Sequence, residues 1–99
     1  MTNVASLDLC KELYTLSQWE TDEWFLDNIH VGKHARKAPK YDLGYLLDKL
    51  ELAGEVDLYS SAGRWICLID EGDDSKSADT HANAACKLAI ELLNQGVLK

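Results

Sequence analysis

The chain has 99 residues, 46% of them hydrophobic and 27% charged, and its formal net charge is −7. This length suits one ordinary domain, and the composition is that of a globular chain rather than a disordered one. The negative charge argues against general affinity for nucleic acid or anionic lipid, because both are bound through basic surface. We therefore expect a single domain, residues 1–99, with no direct nucleic-acid or membrane partner.

The sequence carries no recognisable targeting or membrane signal. Its first residues lack a basic start and an uninterrupted apolar run, and no apolar run approaches the roughly 20 residues that span a bilayer. Three cysteines, Cys10, Cys67 and Cys86, are irregularly spaced among apolar neighbours. This pattern is typical of reduced, buried thiols, and we expect a cytoplasmic protein.

Three helices are predicted from apolar residues at helical spacing, each preceded by a residue that suits an N-cap. They cover about residues 6–18, 43–52 and 80–95, with Ser6, Asp42 and Thr80 as the caps. Gly96 is placed as the C′ residue that ends the third helix. The stretch 19–40 has no clean period and is predicted to be irregular, with a helical turn or a short extended piece near Trp24.

Alternating apolar residues predict two strands, over about residues 55–60 and 64–70, that form an antiparallel hairpin. The second strand is apolar on both sides, with Trp65 and Cys67 on one and Ile66 on the other. Because such a strand is covered on both faces, we predict an α+β fold, a three-layer α/β/α sandwich with helices over both faces of the hairpin sheet. A two-stranded sheet has two open edges, so we also expect a homodimer or a third strand from the irregular stretch.

Most of the excess negative charge lies in the second half of the chain, where residues 51–99 carry nine Asp or Glu and four Lys or Arg. The candidate partner-binding residues are five of these acids: Asp70, Glu71, Asp73, Asp74 and Asp79. Such a cluster is either solubilising surface or a site for a basic partner. The second candidate surface contains Trp19 and Trp24, where an exposed indole could anchor a partner.

Other constellations carry weaker signals. His30 and His34 have the spacing of two metal ligands on a helix face, but no third ligand completes the set. The acidic turn lacks the alternating ligands of a calcium loop, and the basic run 33–40 is interpreted as solvated loop rather than a phosphate or acidic-partner site. Ser60 and His81 offer a hydroxyl and an imidazole without a nucleophile elbow. No catalytic residue, metal or cofactor is predicted, and we do not expect an enzyme.

Three patches follow one another along the second half of the predicted elements. They are Pro39-Lys40-Tyr41-Asp42-Leu43 leading into a leucine-rich helix, Trp65 in a short strand after a hairpin turn, and Ala78-Asp79-Thr80 opening an alanine-rich helix. In this order they resemble the phage ABA sandwich domain, a family of small proteins encoded by tailed phages and prophages. The likeness covers roughly residues 39–98. His81 stands where the family commonly has Pro, and the connection after Asp70 is very short, which leaves any third strand in doubt. The resemblance implies a phage genome and a sandwich fold, with no general catalytic or ligand site.

Size, charge and the resemblance together favour a small phage-encoded accessory protein that acts by protein–protein binding. One form of this hypothesis is an anti-defence inhibitor, such as an anti-CRISPR, whose acidic surface enters a basic channel of a host protein. The alternative is a phage structural or assembly protein whose hairpin pairs with other copies, and a small enzyme is a distant third. The expected partners are a host or defence-system protein with basic surface and a second copy of the chain, in the cytoplasm of a bacterial host.

Overall fold

The computed structural model describes residues 3–26, 36–70 and 74–98. In chain order these residues form α1 (Leu7–Ser17), β1 (Trp24–Leu26), β2 (Arg36–Pro39), α2 (Leu43–Leu50), β3 (Val56–Ser61), β4 (Arg64–Ile69), β5 (Asp74–Ala78) and α3 (His81–Asn94). The strands make two antiparallel sheets, β1–β2 and β3–β4–β5. The α+β class and the β3–β4 hairpin agree with the prediction.

Each helix begins at a side chain that accepts a hydrogen bond from the backbone N–H three residues further on. The three N-caps are the predicted ones: Ser6, Asp42 and Thr80. Each cap satisfies one of the N–H groups that a helix start leaves unpaired. At the other end of α3, Gly96 follows the C-cap with φ of 78°, a left-handed conformation that glycine adopts without strain.

Helix α3 is the centre of the hydrophobic core. Its buried residues occupy most of its circumference: Ala82, Ala84, Ala85, Cys86, Leu88, Ala89, Ile90 and Leu92. A helix that is apolar nearly all round is surrounded by other elements, and α3 packs against the strands of the three-stranded sheet and against both α1 and α2. Its many alanines allow these neighbours to approach closely.

The three-stranded sheet presents an inner face to α3 and an outer face to solvent. Directly opposite residues share a face, and the register pairs Leu58 with Cys67 on the inner face and Tyr59 with Ile66 on the outer face. Cys67 is fully buried, whereas Tyr59 is 46% exposed. The outer face consists of Asp57, Tyr59, Ser61, Arg64, Ile66, Leu68, Ser75 and Ser77. Of these, Ile66 and Leu68 are half-buried and the others are exposed.

The predicted three-layer order, with the sheet in the middle, is not confirmed. In the structure α3 covers the inner face, and α1 and α2 contact α3. The prediction assigned α3 one apolar stripe, but the helix buries residues in several directions and takes the central place. The third strand is β5, which follows the short connection after Asp70 and does not come from residues 19–40. That stretch supplies β1 and β2 instead, in a separate sheet.

The three cysteines are free and buried, as predicted. The Cys10 and Cys86 thiols donate to the backbone carbonyls of Ala5 and Leu9, at 3.5 and 3.6 Å. Burial raises the pKa of Cys67 to about 11 and also raises the pKa of Cys10 and of Cys86 above the ordinary thiol value. The thiols therefore stay protonated at neutral pH and act as core residues.

None of the helices in the described ranges combines the length and the apolar character that crossing a bilayer requires.

Candidate functional site

The five predicted partner-binding acids do not gather at one place. Asp70 follows β4 and Asp74 begins β5, and both lie at the same end of the three-stranded sheet because Asp74 pairs with Ile69. Asp79 follows the opposite end of β5, so this five-residue strand separates it from Asp74 by roughly 17 Å. Two members, Glu71 and Asp73, lie outside the described residues.

Asp70 has a structural role that its sequence neighbourhood does not reveal. Its Oδ1 accepts a hydrogen bond from the Glu55 N–H at 3.1 Å, and its own N–H donates to the Glu55 carbonyl at 2.9 Å. Its φ is 50°, in the left-handed region that Asp tolerates better than most residues. A Cβ on Gly54 would collide with the Asp70 carboxylate, so this close approach requires glycine. Asp70 thus fixes the start of β3 against the end of β4.

The other two described acids also have partners within the chain. Asp74 Oδ1 accepts from Gln95 Nε2 at 3.1 Å, which ties the start of β5 to the end of α3. Asp79 Oδ1 accepts from Asn83 Nδ2 at 3.0 Å, and this hydrogen bond is the main cause of a lowered pKa for Asp79. Asp79 remains exposed and Asp74 half-exposed, so their carboxylates still face solvent.

A second acidic surface, which the sequence analysis missed, lies in the first half of the chain. The loop before β1 and the cap of α2 surround Lys40 with four acids: Glu20, Asp22, Glu23 and Asp42. They line a cavity of about 360 Å³. A neighbouring cavity of about 520 Å³ shares Lys40 and contains Phe25 and Asp79. We call these two cavities, which share Lys40, the acidic groove. Asp79 therefore lines the acidic groove and does not lie beside Asp70. The sequence feature that could have indicated this surface is the presence of three acids within residues 20–23.

In the described part of the chain, four of the eight Lys and Arg residues are half-buried, a larger share than among the acids. All its Asp and Glu residues are exposed except Asp74 and Glu91, which are half-buried. Several cations are instead held against the protein itself. Lys76 Nζ lies 3.3 Å from a Glu91 carboxylate oxygen, and Lys87 Nζ donates to the Ser77 carbonyl at 3.4 Å. These contacts fix the positions of the two lysines, and the chain keeps its formal net charge of −7.

Aromatic rings hold further cations. Arg36 lies over the Trp24 ring at 5.1 Å from its centroid, and Lys49 lies over the Trp19 ring at 4.9 Å. Trp24 also donates from Nε1 to the Thr21 carbonyl at 3.0 Å. Both indoles are half-buried. The secondary candidate surface therefore consists of rings that the chain's own cations cover, a geometry typical of cation–π pairs.

The remaining candidates are the metal site and the Ser60–His81 pair. Neither forms a metal-binding or catalytic arrangement among the described residues. No group of three His, Cys, Asp or Glu within residues 3–26, 36–70 and 74–98 is placed to hold a metal ion, and His30 and His34 lie outside these ranges. The His81 ring packs edge-on to Trp65, with centroids 5.4 Å apart. Its Nδ1 is buried with no hydrogen-bond partner among the described residues, so Ser60 forms no hydrogen bond with that atom.

Comparisons with models of known protein families, with curated proteins and with solved structures find no match for this chain. The resemblance to the phage ABA sandwich domain therefore rests on the three sequence patches, and the function has to be argued from the geometry and charge of the molecule itself.

Proposed function

We propose that the chain is a small accessory protein that binds a basic partner protein through an acidic surface. The observation that carries this proposal is the unequal placement of charge, with acids exposed and several cations held against aromatic rings or carboxylates. An exposed negative surface attracts a basic partner over a distance, speeds encounter and disfavours acidic partners. Nothing in the core requires so many exposed acids.

The preferred contact surface is the acidic connection, defined as Asp70, Glu71, Asp73 and Asp74. Two observations support this choice. Asp70 and Asp74 are anchored to the fold by hydrogen bonds to Glu55 and Gln95, so the connection begins and ends at fixed points. Its two described members, Asp70 and Asp74, also lie at the same end of the three-stranded sheet, where carboxylates can meet a basic cleft of a partner. The acidic groove around Lys40 is the competing surface on the same molecule.

The biological setting proposed is a phage or prophage genome and the cytoplasm of a bacterial host. The resemblance of residues 39–98 to the phage family supports this setting. Within it, the basic partner is a host or defence protein whose nucleic-acid channel the acidic surface occupies, since exposed carboxylates can replace phosphate contacts with Lys and Arg. This is the mode of action of an anti-defence inhibitor.

The first experiment is capture from a bacterial lysate on the immobilised chain, with elution by salt. We expect a stoichiometric basic protein that elutes between about 0.1 and 0.5 M salt. In this range the Debye length is about 10 Å or shorter, so salt weakens the attraction between exposed charges. A lysate from which the chain captures no host protein would contradict the proposed function and leave the alternative, a structural or assembly protein.

The second experiment locates the contact with two variants that each remove four negative charges. The acidic-connection variant is D70N/E71Q/D73N/D74N, in which Asn keeps the acceptor oxygens toward Glu55 and Gln95. The matched groove variant is E20Q/D22N/E23Q/D42N, in which Asn keeps the acceptor oxygen that caps α2. We expect the first to bind the captured partner at least about tenfold more weakly at low salt, chiefly through slower association, and the second to bind nearly as well as the parent. Equal binding by the parent and both variants contradicts the proposed function. If only the groove variant binds more weakly, the contact surface is the acidic groove instead of the acidic connection.

A further inference from the structure

We propose that the outer face of the three-stranded sheet is a self-association surface, on which a second copy of this chain packs face to face about a two-fold axis. This inference does not depend on the acidic surface or on a host partner. It follows from the apolar centre of the outer face, from two complementary charges at its ends and from their symmetrical spacing.

The centre of the outer face is apolar and accessible. Tyr59 and Ile66 lie directly opposite each other on β3 and β4, and Leu68 is the next outward residue of β4. Tyr59 is 46% exposed, and α3 packs on the inner side of this sheet. The outward residues of β5 are serines, which are small enough to receive bulky side chains from an opposing sheet. An apolar centre with a polar margin is typical of a protein interface.

The two charged residues of the outer face stand at its opposite ends. Each pair of directly opposite residues on β3 and β4 forms one row of the sheet. Asp57 lies two rows to one side of the Tyr59–Ile66 row, and Arg64 lies two rows to the other side. Both are exposed, and roughly 13 Å separates their rows. Among the described residues, Arg64 forms no salt bridge, and Asp79, which feels its charge, already accepts a hydrogen bond from Asn83.

This spacing selects one arrangement of two copies. A two-fold axis that lies between the sheets, perpendicular to the strands and over the Tyr59–Ile66 row, reverses the strand direction of the second copy. It brings each Arg64 to the end of the partner sheet that carries Asp57, one strand across and within reach of the long arginine side chain. The alternative axis, parallel to the strands, sets Arg64 against its own copy. The first arrangement is isologous, as in most homodimers, and forms two ion pairs.

The outer face is small for a protein interface. Three strands about 4.8 Å apart and some five residues long at about 3.4 Å each give a footprint of roughly 250 Å² per copy. The total is below the roughly 1,200 Å² of stable complexes. We therefore expect a weak, transient dimer that forms at high protein concentration.

Salt separates this association from binding of a basic partner. Each copy carries a net charge of −7, so two copies repel each other at long range, and screening lowers that repulsion. Self-association therefore strengthens as salt rises to physiological levels, whereas attraction to a basic partner weakens. Failure of one proposal leaves the other intact, because their salt dependences have opposite signs.

The test is a charge exchange measured by sedimentation equilibrium from about 10 µM to about 1 mM protein. Asp57→Arg and Arg64→Asp each place like charges at both ends of the two-fold interface, so each variant alone should dimerise at least about tenfold more weakly than the parent. An equimolar mixture of the two restores both ion pairs, and its heterodimer should return to within about threefold of the parent Kd. Matched controls on α1, Glu12→Arg and Lys11→Asp, change the net charge equally and should not show this rescue.

A further pair of variants tests the apolar centre. Tyr59→Asp should abolish the dimer, whereas Leu52→Asp, at a residue that is 77% exposed outside the outer face, should leave it unchanged. Amide NMR spectra confirm that each variant is folded. A parent that stays monomeric at about 1 mM, or a mixture that sediments like the two separate variants, overturns the proposal.

Discussion

Strand β4 carries apolar side chains on both of its sides, and the two sides have different surroundings. On the inner side, Cys67 is fully buried and Ile69 is 3% exposed, because α3 packs over them. On the outer side, Ile66 and Leu68 are half-buried beside the exposed Tyr59. The absence of alternation in this strand correctly indicates two apolar faces. It does not indicate whether the same chain covers both faces, and here no helix packs over the outer one among the described residues.

The largest expected effect comes from truncating the same residue type on the two sides of this strand. Ile69→Ala should lower the free energy of unfolding by about 2 to 5 kcal/mol, because a cavity forms under α3. Ile66→Ala should cost only about 1 kcal/mol in dilute solution, because its half-buried side chain is partly exposed to water already. Urea titration of both variants at low concentration measures the difference, and equal losses would show that the protomer itself covers both sides.

Alkaline pH gives the next largest effect on the inner side. The pKa of Cys67 is raised from 9.0 to about 11, mainly by burial. Between these two pH values the unfolded chain releases the thiol proton while the folded chain retains it, so stability is full below pH 9 and falls as pH rises. The loss approaches about 2 to 3 kcal/mol at pH 11, at about 1.4 kcal/mol per pH unit.

Unfolding of the parent and of Cys67→Ala across this pH range checks the effect. The stability difference between the two proteins should shrink as the pH rises, because only the parent loses the thiol contribution. Profiles that stay parallel would contradict a buried, protonated thiol at this position.

A smaller effect is expected at Asp70, which holds β3 and β4 in register. A slip of one residue would exchange the inner and outer faces, so this register is what keeps them distinct. Asp70→Ala removes the acceptor for the Glu55 N–H and places alanine in a left-handed conformation, at a cost of about 1 to 2 kcal/mol. Asn at this position keeps an acceptor oxygen for the Glu55 N–H and also tolerates the left-handed conformation, so Asp70→Asn should cost less than about 0.5 kcal/mol. Thermal unfolding distinguishes the two variants. Equal losses of stability in both would mean that the lost charge matters more than the hydrogen bond.

The smallest effect concerns the aromatic surface of the first half, which its own cations cover. Lys49 lies over both Trp19 and Tyr45, so Lys49→Met, which keeps the aliphatic stem, should cost about 0.5 to 1 kcal/mol. Lys11→Met is the matched control, because Lys11 is exposed and its loss should change stability little. If both variants unfold alike, the rings do not hold this cation, and the charge argument for the proposed function weakens.

The helices and the β3–β4 hairpin could be predicted because their evidence is local: apolar spacing and capping residues. Strand β5 could not, since the sequence from Asp74 to Ala78 has no β-branched or aromatic residue. It forms through pairing with β4, burial of Ala78 and the ion pair between Lys76 and Glu91. Strand β2 was missed for a similar reason, because Arg36–Pro39 is basic and contains proline.

The candidate site was predictable only in part. Asp79 is close to Asp74 in sequence, and without β5 the two were expected to lie together. The structural role of Asp70 depends on Glu55, which is 15 residues away, and the cover over Trp24 depends on Arg36. Contacts between residues so far apart in sequence leave no periodic pattern, so they emerge only from the folded chain.

The most direct test of the account measures how solvent reaches the two faces of β4. The chain has four isoleucines, including Ile66, Ile69 and Ile90, whose labelled δ1-methyl groups report on separate places. In the presence of a soluble paramagnetic agent and at high dilution, the Ile66 methyl signal should relax far faster than those of Ile69 and Ile90. As the protein concentration rises, the Ile66 methyl should become protected while the other two stay unchanged. An Ile66 methyl as protected as that of Ile69 at the lowest concentration would contradict the account, since the protomer would then cover its own outer face.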